Sequence, residues 1–287
     1  MKLTLLFFLL CVATAVISSC GGKSQHLGPF KREPMISEHC FHMQDCVNLP
    51  YTAWGNRKNP EVVIIALHGF NDYHNTFKDF ADKAEHKNAL IYAYDQRGFG
   101  NTPKRGLWAN SNVTIQDLLT VTHLVKARHP GKPLYWMGES MGGAILMVAS
   151  KYAHEAGVSG MVLSAPAVWG WKYMNKLHAA ALMLGDYFIP WVKVSGEGLD
   201  VVASDNDEML MALGADPCVI KRTRIDALHG LVSLMSEASK AACQITIPTL
   251  ILYGAKDELV PKRPVQIVLS QLPKAPWGHW KTVYYQN

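Results

Sequence analysis

Leu134-Tyr-Trp-Met-Gly138-Glu139-Ser140-Met141-Gly142-Gly143-Ala-Ile-Leu-Met-Val-Ala149 is the stretch that decides the fold. Its first four residues read as a buried strand ending near Met137, and Gly143 onward reads as a helix. Between them lies Gly-x-Ser-x-Gly, a turn that carries a serine from strand to helix. Residues two before and two after such a serine crowd together, so only small side chains fit at 138 and 142. The pentapeptide alone recurs by chance in roughly one chain in ten of this length. A strand before it and a helix after it make it informative. Ser140 Oγ is then predicted to project at the C-terminal edge of a sheet, where α/β proteins bind ligands. The helix N-terminus behind it favours developing negative charge. Ser140 is the candidate nucleophile, and the backbone N–H of Met141 a candidate donor to an oxyanion.

Outward from this turn, short apolar runs alternate with helical patterns. Residues 61–67, 89–94, 160–164, 248–253 and 280–285 read as further strands. Near-continuous apolar strands indicate a parallel sheet covered on both faces. Phe77 to Ala84 is a candidate helix. Thr114 is read as an N-cap with Asp117 three residues on, and Ile115, Leu118, Leu119 and Thr122 follow at helical spacing until His129-Pro130-Gly131. The fold class is therefore α/β, a mostly parallel central sheet with helices on both faces. Residues 166 to about 240 break the rhythm. They are rich in Trp, Met and Leu with no convincing strand, and read as a helical cap insertion. Its apolar stripe either packs as ordinary core or lines a binding pocket under a lid.

Two more segments carry candidate chemistry. His68-Gly69-Phe70 follows the 61–67 strand, and the Phe70 N–H is the second candidate oxyanion donor, with Gly69 allowing close backbone approach. The His68 side chain is read as a brace for this loop. Asp257, after the 248–253 strand, is the candidate acid that orients a histidine base in the chain order Ser, Asp, His; Glu258 is the fallback.

The 287 residues allow one large domain or two small ones, and 49% hydrophobic with 18% charged residues excludes a disordered, collagenous or coiled-coil chain. The net charge of +5 is not gathered into a stripe. It describes a mildly basic surface or attraction to anionic lipid headgroups, and no nucleic-acid motif accompanies it. The first residues read as an address. Met1-Lys2 precedes an apolar run from Leu3 to Ile17, too short for a comfortable membrane span. Ile17-Ser18-Ser19-Cys20 resembles a bacterial lipobox, which implies a signal peptide over 1–19, lipidation of Cys20 and a polar tether over 20–43. Gly21 after the cysteine favours the outer over the inner membrane. Alternatives are cleavage at Ala13-Thr14-Ala15 or an uncleaved anchor. Cys40 and Cys46 either bridge or remain free thiols, and no cysteine spacing reads as a zinc site.

Five stretches together resemble the monoacylglycerol lipase/lysophospholipase branch of the α/β-hydrolases, often labelled serine aminopeptidase S33-like. They are His68-Gly-Phe-Asn-Asp72, Tyr94-Asp-Gln-Arg-Gly-Phe-Gly100, Gly138-Glu-Ser-Met-Gly-Gly143, Leu163-Ser-Ala-Pro166 and Tyr253-Gly-Ala-Lys-Asp257. The resemblance spans residues about 45 to 285. It implies that Asp95 and Arg97 are structural, and that the catalytic histidine follows the last strand. That places the base just beyond Asn287. His279 is the in-chain candidate, but it precedes the last strand and is expected at the far end of the sheet, roughly 17–20 Å from Ser140.

The expected activity is hydrolysis of carboxylic esters of lipid-like substrates, monoacylglycerols or lysophospholipids, through an acyl-enzyme on Ser140. No metal or cofactor is implied. A small-ester esterase and an aminopeptidase keep the same fold. An inactive, membrane-tethered lipid-binding protein is the rival of a different class.

Overall fold

A computed structural model describes residues 24–84, 88–196, 206–257, 260–274 and 278–286. The strands are β1 (Met35–Ile36), β2 (Cys40–His42), β3 (Asn48–Gly55), β4 (Val62–Leu67), β5 (Ala89–Tyr94), β6 (Leu134–Glu139), β7 (Gly160–Ser164), β8 (Lys193–Val194), β9 (Thr223–Arg224), β10 (Thr249–Gly254) and β11 (Trp280–Tyr285). The helices are α1 (Lys78–Ala84), α2 (Ser111–Arg128), α3 (Met141–Ala149), α4 (Lys176–Phe188), α5 (Asp207–Ala215), α6 (Ile225–Ala241) and α7 (Lys262–Gln271).

Nine strands form one sheet in the order β1-β2-β3-β5-β4-β6-β7-β10-β11. From β5 to β11 all neighbours are parallel; β1, β2 and β3 join antiparallel at one edge. Parallel strands covered by helices must be apolar on both faces, and β5 obeys this with every residue buried. The chain runs from β4 outward to β5, then returns to place β6 on the other flank of β4. In open α/β sheets such a reversal, here at the C-terminal ends of β4 and β6, marks where ligands bind.

The sheet separates a large core cluster around Leu118, Trp136 and Ile145 from a smaller one around Phe77, Ala81 and Met137. Trp136 on β6 is fully buried, and its indole N–H donates to Thr122 Oγ1 on α2 at 3.0 Å. Helices α2 and α6 flank α3 on one face.

Several sequence expectations change. Residues 24–43 do not stand off as a tether: Phe41 and Met43 are buried in the core, β1 and β2 extend the sheet, and Gln25 bridges to Ala109. Helix α2 begins before Thr114. Its N-cap is Asn110, whose side chain accepts the Val113 N–H at 3.1 Å. Thr114 is buried within the first turn and bonds back to the Ser111 carbonyl at 3.0 Å, which leaves its hydroxyl no role as a cap. Between 166 and 240, β8 and β9 pair as a short antiparallel ribbon where no strand was expected. In the same stretch α6 packs along α3 with Ala227, Leu234, Met235 and Ala238 in the core, whereas α4 has no buried residue. Residues 1–19, read as a signal peptide, and Cys20 lie outside the described residues. Cys40, Cys46, Cys218 and Cys243 are free thiols.

Candidate active site

Ser140 occupies the turn between β6 and α3 with φ 49° and ψ −109°, a left-handed conformation that a non-glycine residue holds at a cost of about 1–3 kcal/mol. Three backbone bonds fix it there. Its N–H donates to the Ser164 carbonyl at 2.9 Å, and its carbonyl accepts from Ala144 and Ala167, each at 3.0 Å. The glycines are required by contact. A Cβ on Gly138 would stand 2.5 Å from the Gly142 carbonyl carbon, and one on Gly142 would stand 2.1 Å from the Leu67 carbonyl oxygen. The sequence motif thus records three backbones in near contact.

The His68-Gly69-Phe70 loop leaves β4, the strand beside β6. A Cβ placed on Gly69 would lie 3.7 Å from Ser140 Cβ, so the loop and the serine stand side by side within van der Waals reach. His68 sets the loop's orientation. The Gln96 N–H donates to its Nε2 at 3.0 Å, so Nε2 carries no proton. Nδ1 carries it and donates to the Gly69 carbonyl at 2.7 Å. In a trans peptide the N–H points opposite to the C=O. Holding the Gly69 carbonyl toward His68 therefore turns the Phe70 N–H away from His68. Complete burial lowers the His68 pKa, which keeps this ring neutral. The Phe70 ring is held edge-on by Phe99, with centroids 5.7 Å apart.

Met141, the first residue of α3, is buried. Its N–H lies at the helix N-terminus beside Ser140, where donors lack intrahelical partners. Asp257 follows β10 at the same sheet edge. Its N–H donates to the Gly254 carbonyl at 3.2 Å and its Oδ1 accepts from Val260 N–H at 2.9 Å. The register runs Glu139–Ser164–Leu252 across β6, β7 and β10. The strand that leads into the Asp257 turn thus lies about two strand spacings, roughly 10 Å, to one side of β6.

The histidines sort by their partners. The His279 carbonyl accepts the Thr249 N–H at 2.8 Å, at the start of β10 and β11. Ser140 lies at the opposite, C-terminal edge, a strand length away. His74 donates its N–H to Asp95 at 3.0 Å, pairs through Nδ1 with the same carboxylate and faces Thr52 with Nε2 at 3.1 Å. His229 lies beside Trp171 and Asp186 on the helical side. By contrast, β11 ends beside Asp257: Tyr285 pairs with Gly254 and accepts the Ala255 N–H at 2.8 Å.

The 95–102 loop is buttressed by buried ion pairs. Arg97 reaches Asp117 at 2.6 and 2.9 Å and Asp45 at 2.7 and 3.1 Å, all nearly excluded from solvent. Asp95 accepts N–H groups of His74 and Asn101, which hold its carboxyl below the usual range despite burial. Both residues act structurally, in line with the resemblance. Glu139, beside Ser140, is pushed up by burial and by the Asp72 charge. Among the described residues, no group of His, Cys, Asp or Glu is arranged to hold a metal ion. Sequence reasoning did not single out Asn71 and Tyr73, which tie the loop after β4 to residues 216–223.

Residues 58–282 match the family described as Serine aminopeptidase, S33. The chain is 28% identical over 229 residues to a monoacylglycerol lipase of Mycolicibacterium smegmatis, covering 78% of this chain and 80% of that protein. It is 24% identical over 224 residues to the monoglyceride lipase of Rattus norvegicus, covering 77% and 73%. Its fold is that of a soluble variant of the monoglyceride lipase from Saccharomyces cerevisiae, solved with a substrate analog, at TM-score 0.71 and 21% identity over 90% of each chain. Sheet order, elbow and matched length agree: the chain is an α/β-hydrolase and belongs to the serine aminopeptidase S33 family.

Proposed function

We propose that the protein hydrolyses carboxylic esters of lipid-like substrates, monoacylglycerols or lysophospholipids, through an acyl-enzyme on Ser140. The observation that carries this reading is the strained Ser140 turn set directly beside the Gly69–Phe70 peptide. Ser140 Oγ attacks the ester carbonyl carbon. The Phe70 and Met141 N–H groups stabilise the oxyanion. A histidine supported by Asp257 takes the serine proton and passes it to the departing alcohol, breaking the ester C–O bond. Water then attacks the acyl-serine by the same route and frees the fatty acid. The histidine belongs at the C-terminal edge of the sheet, where Ser140 and Asp257 lie and where β11 ends beside Gly254. The lipase relatives support a lipid-like acyl chain. Exposed Leu177, Met183, Leu184, Tyr187 and Phe188 on α4 support a cap that handles apolar molecules. The lipobox-like Ile17–Cys20 supports a lipid anchor on Cys20 in a bacterial cell envelope.

The test is hydrolysis of a long-chain monoacylglycerol by the purified protein beside Ser140→Ala and Asp257→Asn. The proposal expects turnover that falls by roughly 10⁴–10⁶-fold in Ser140→Ala. Equal turnover in wild type and Ser140→Ala defeats it. Saturable lipid binding with no turnover identifies a lipid-binding protein instead.

A further inference from the structure

Asn71 follows Phe70 and adopts φ 65°, the left-handed region that asparagine tolerates better than most residues. It is gripped from the 216–224 segment, which runs from α5 to α6. Its side-chain amide donates to Thr223 Oγ1 at 2.6 Å, and its carbonyl accepts the Ile220 N–H at 2.8 Å. Two residues on, Tyr73 donates its hydroxyl to Asp216 Oδ2 at 2.7 Å. The same segment is held from a third side, where Arg105 donates to the Pro217 and Val219 carbonyls. Thr223 is buried, so water does not readily replace its bond to Asn71.

The Phe70 N–H therefore lies between two anchors. His68 holds the carbonyl of the peptide on its N-terminal side, and Asn71 is locked on its C-terminal side. A donor to a developing oxyanion contributes only when it is aimed before the reaction begins, because an error near 1 Å is costly in rate. We propose that Asn71 is a positioning residue for the Phe70 N–H, and that Thr223 and Ile220 make the 216–224 segment the outer wall that sets its aim. The assignment rests on the hydrolase reading above for its effect on rate, but the mechanical coupling does not depend on the substrate.

Thr223 also pairs with Val194 across the β8–β9 ribbon, which fixes the acceptor that holds Asn71.

The experiment compares wild type, Thr223→Val, Thr223→Ser and Tyr73→Phe. Valine keeps the shape of threonine and removes the acceptor; serine keeps the acceptor. Amide hydrogen exchange is measured over residues 69–75, and kcat and KM on a long-chain monoacylglycerol. The expected result is faster exchange over 69–75 in Thr223→Val with unchanged protection in β4 and β6. kcat falls about 10-fold or more while KM stays within about twofold, a fraction of the loss from deleting one oxyanion donor. Thr223→Ser restores both, and Tyr73→Phe shows a smaller change of the same sign. Equal exchange and equal kcat in wild type and Thr223→Val overturn the inference. A wild type without ester turnover, but with exchange that rises in Thr223→Val and recovers in Thr223→Ser, overturns the hydrolase reading and supports the positioning role.

Discussion

Gly142 and Leu67 are in backbone contact: a Cβ at 142 would stand 2.1 Å from the Leu67 carbonyl oxygen, at the point where α3 begins and β4 ends. Neither partner can yield, because one is the first turn of a buried helix and the other a central strand. Gly142→Ala is expected to destabilise the protein by at least about 3 kcal/mol. Gly106→Ala is the control. It has a positive φ of 85° but open space around it, so its cost is near 1 kcal/mol. Denaturant titration of both variants checks this, and equal losses contradict it.

Ser140 carries strain that a glycine would release. Ser140→Gly is expected to unfold at higher denaturant than wild type, by about 1–2 kcal/mol, while losing all serine-dependent turnover. Ser140→Ala keeps a Cβ and so keeps most of the strain. Gain in Ser140→Gly without gain in Ser140→Ala is the pattern to look for; a destabilised Ser140→Gly contradicts it.

His68 makes stability depend on pH in a definite direction. Its folded pKa lies below 6.5, so below pH 6.5 the unfolded chain binds a proton that the folded site refuses. Stability therefore rises with pH up to about 6.5 and levels off above it. His68→Leu removes both hydrogen bonds and is less stable throughout, but its melting temperature should drop less between pH 7 and pH 5. Parallel curves for the two proteins contradict the assignment.

Arg97 is the only cation that bonds Asp45 and Asp117 among the described residues. Arg97→Met leaves two buried carboxylates without their partner and is expected to cost about 3–5 kcal/mol. Breaking the exposed Lys78–Asp82 pair with Lys78→Ala is expected to change nothing measurable. Chemical denaturation separates the two cases.

The parallel strands were legible because burial on both faces leaves an unbroken apolar run, as in Ala89–Tyr94. β3 was not, although Leu49, Tyr51 and Ala53 alternate inward at strand spacing. Pro50 breaks the run and marks the segment as a turn or edge by rule. Asn110 lost the N-cap assignment to Thr114 because Thr-x-x-Asp imitates a capping box, and only the buried side of the helix tells them apart. The elbow was readable because its contacts are local. Asn71 with Thr223, and Tyr73 with Asp216, are 152 and 143 residues apart, so no periodicity or motif can join them.

Helix α4 touches α6 yet has no buried residue among its thirteen. A helix that gives the interior so little is held by few constraints from folding. Its sequence can drift or be exchanged wholesale while the sheet, the elbow and the ion-paired loop stay intact. Homologous chains should accordingly differ most over 176–188. Grafting that stretch from one relative to another should move acyl-chain preference with it and leave the melting temperature close to that of the recipient.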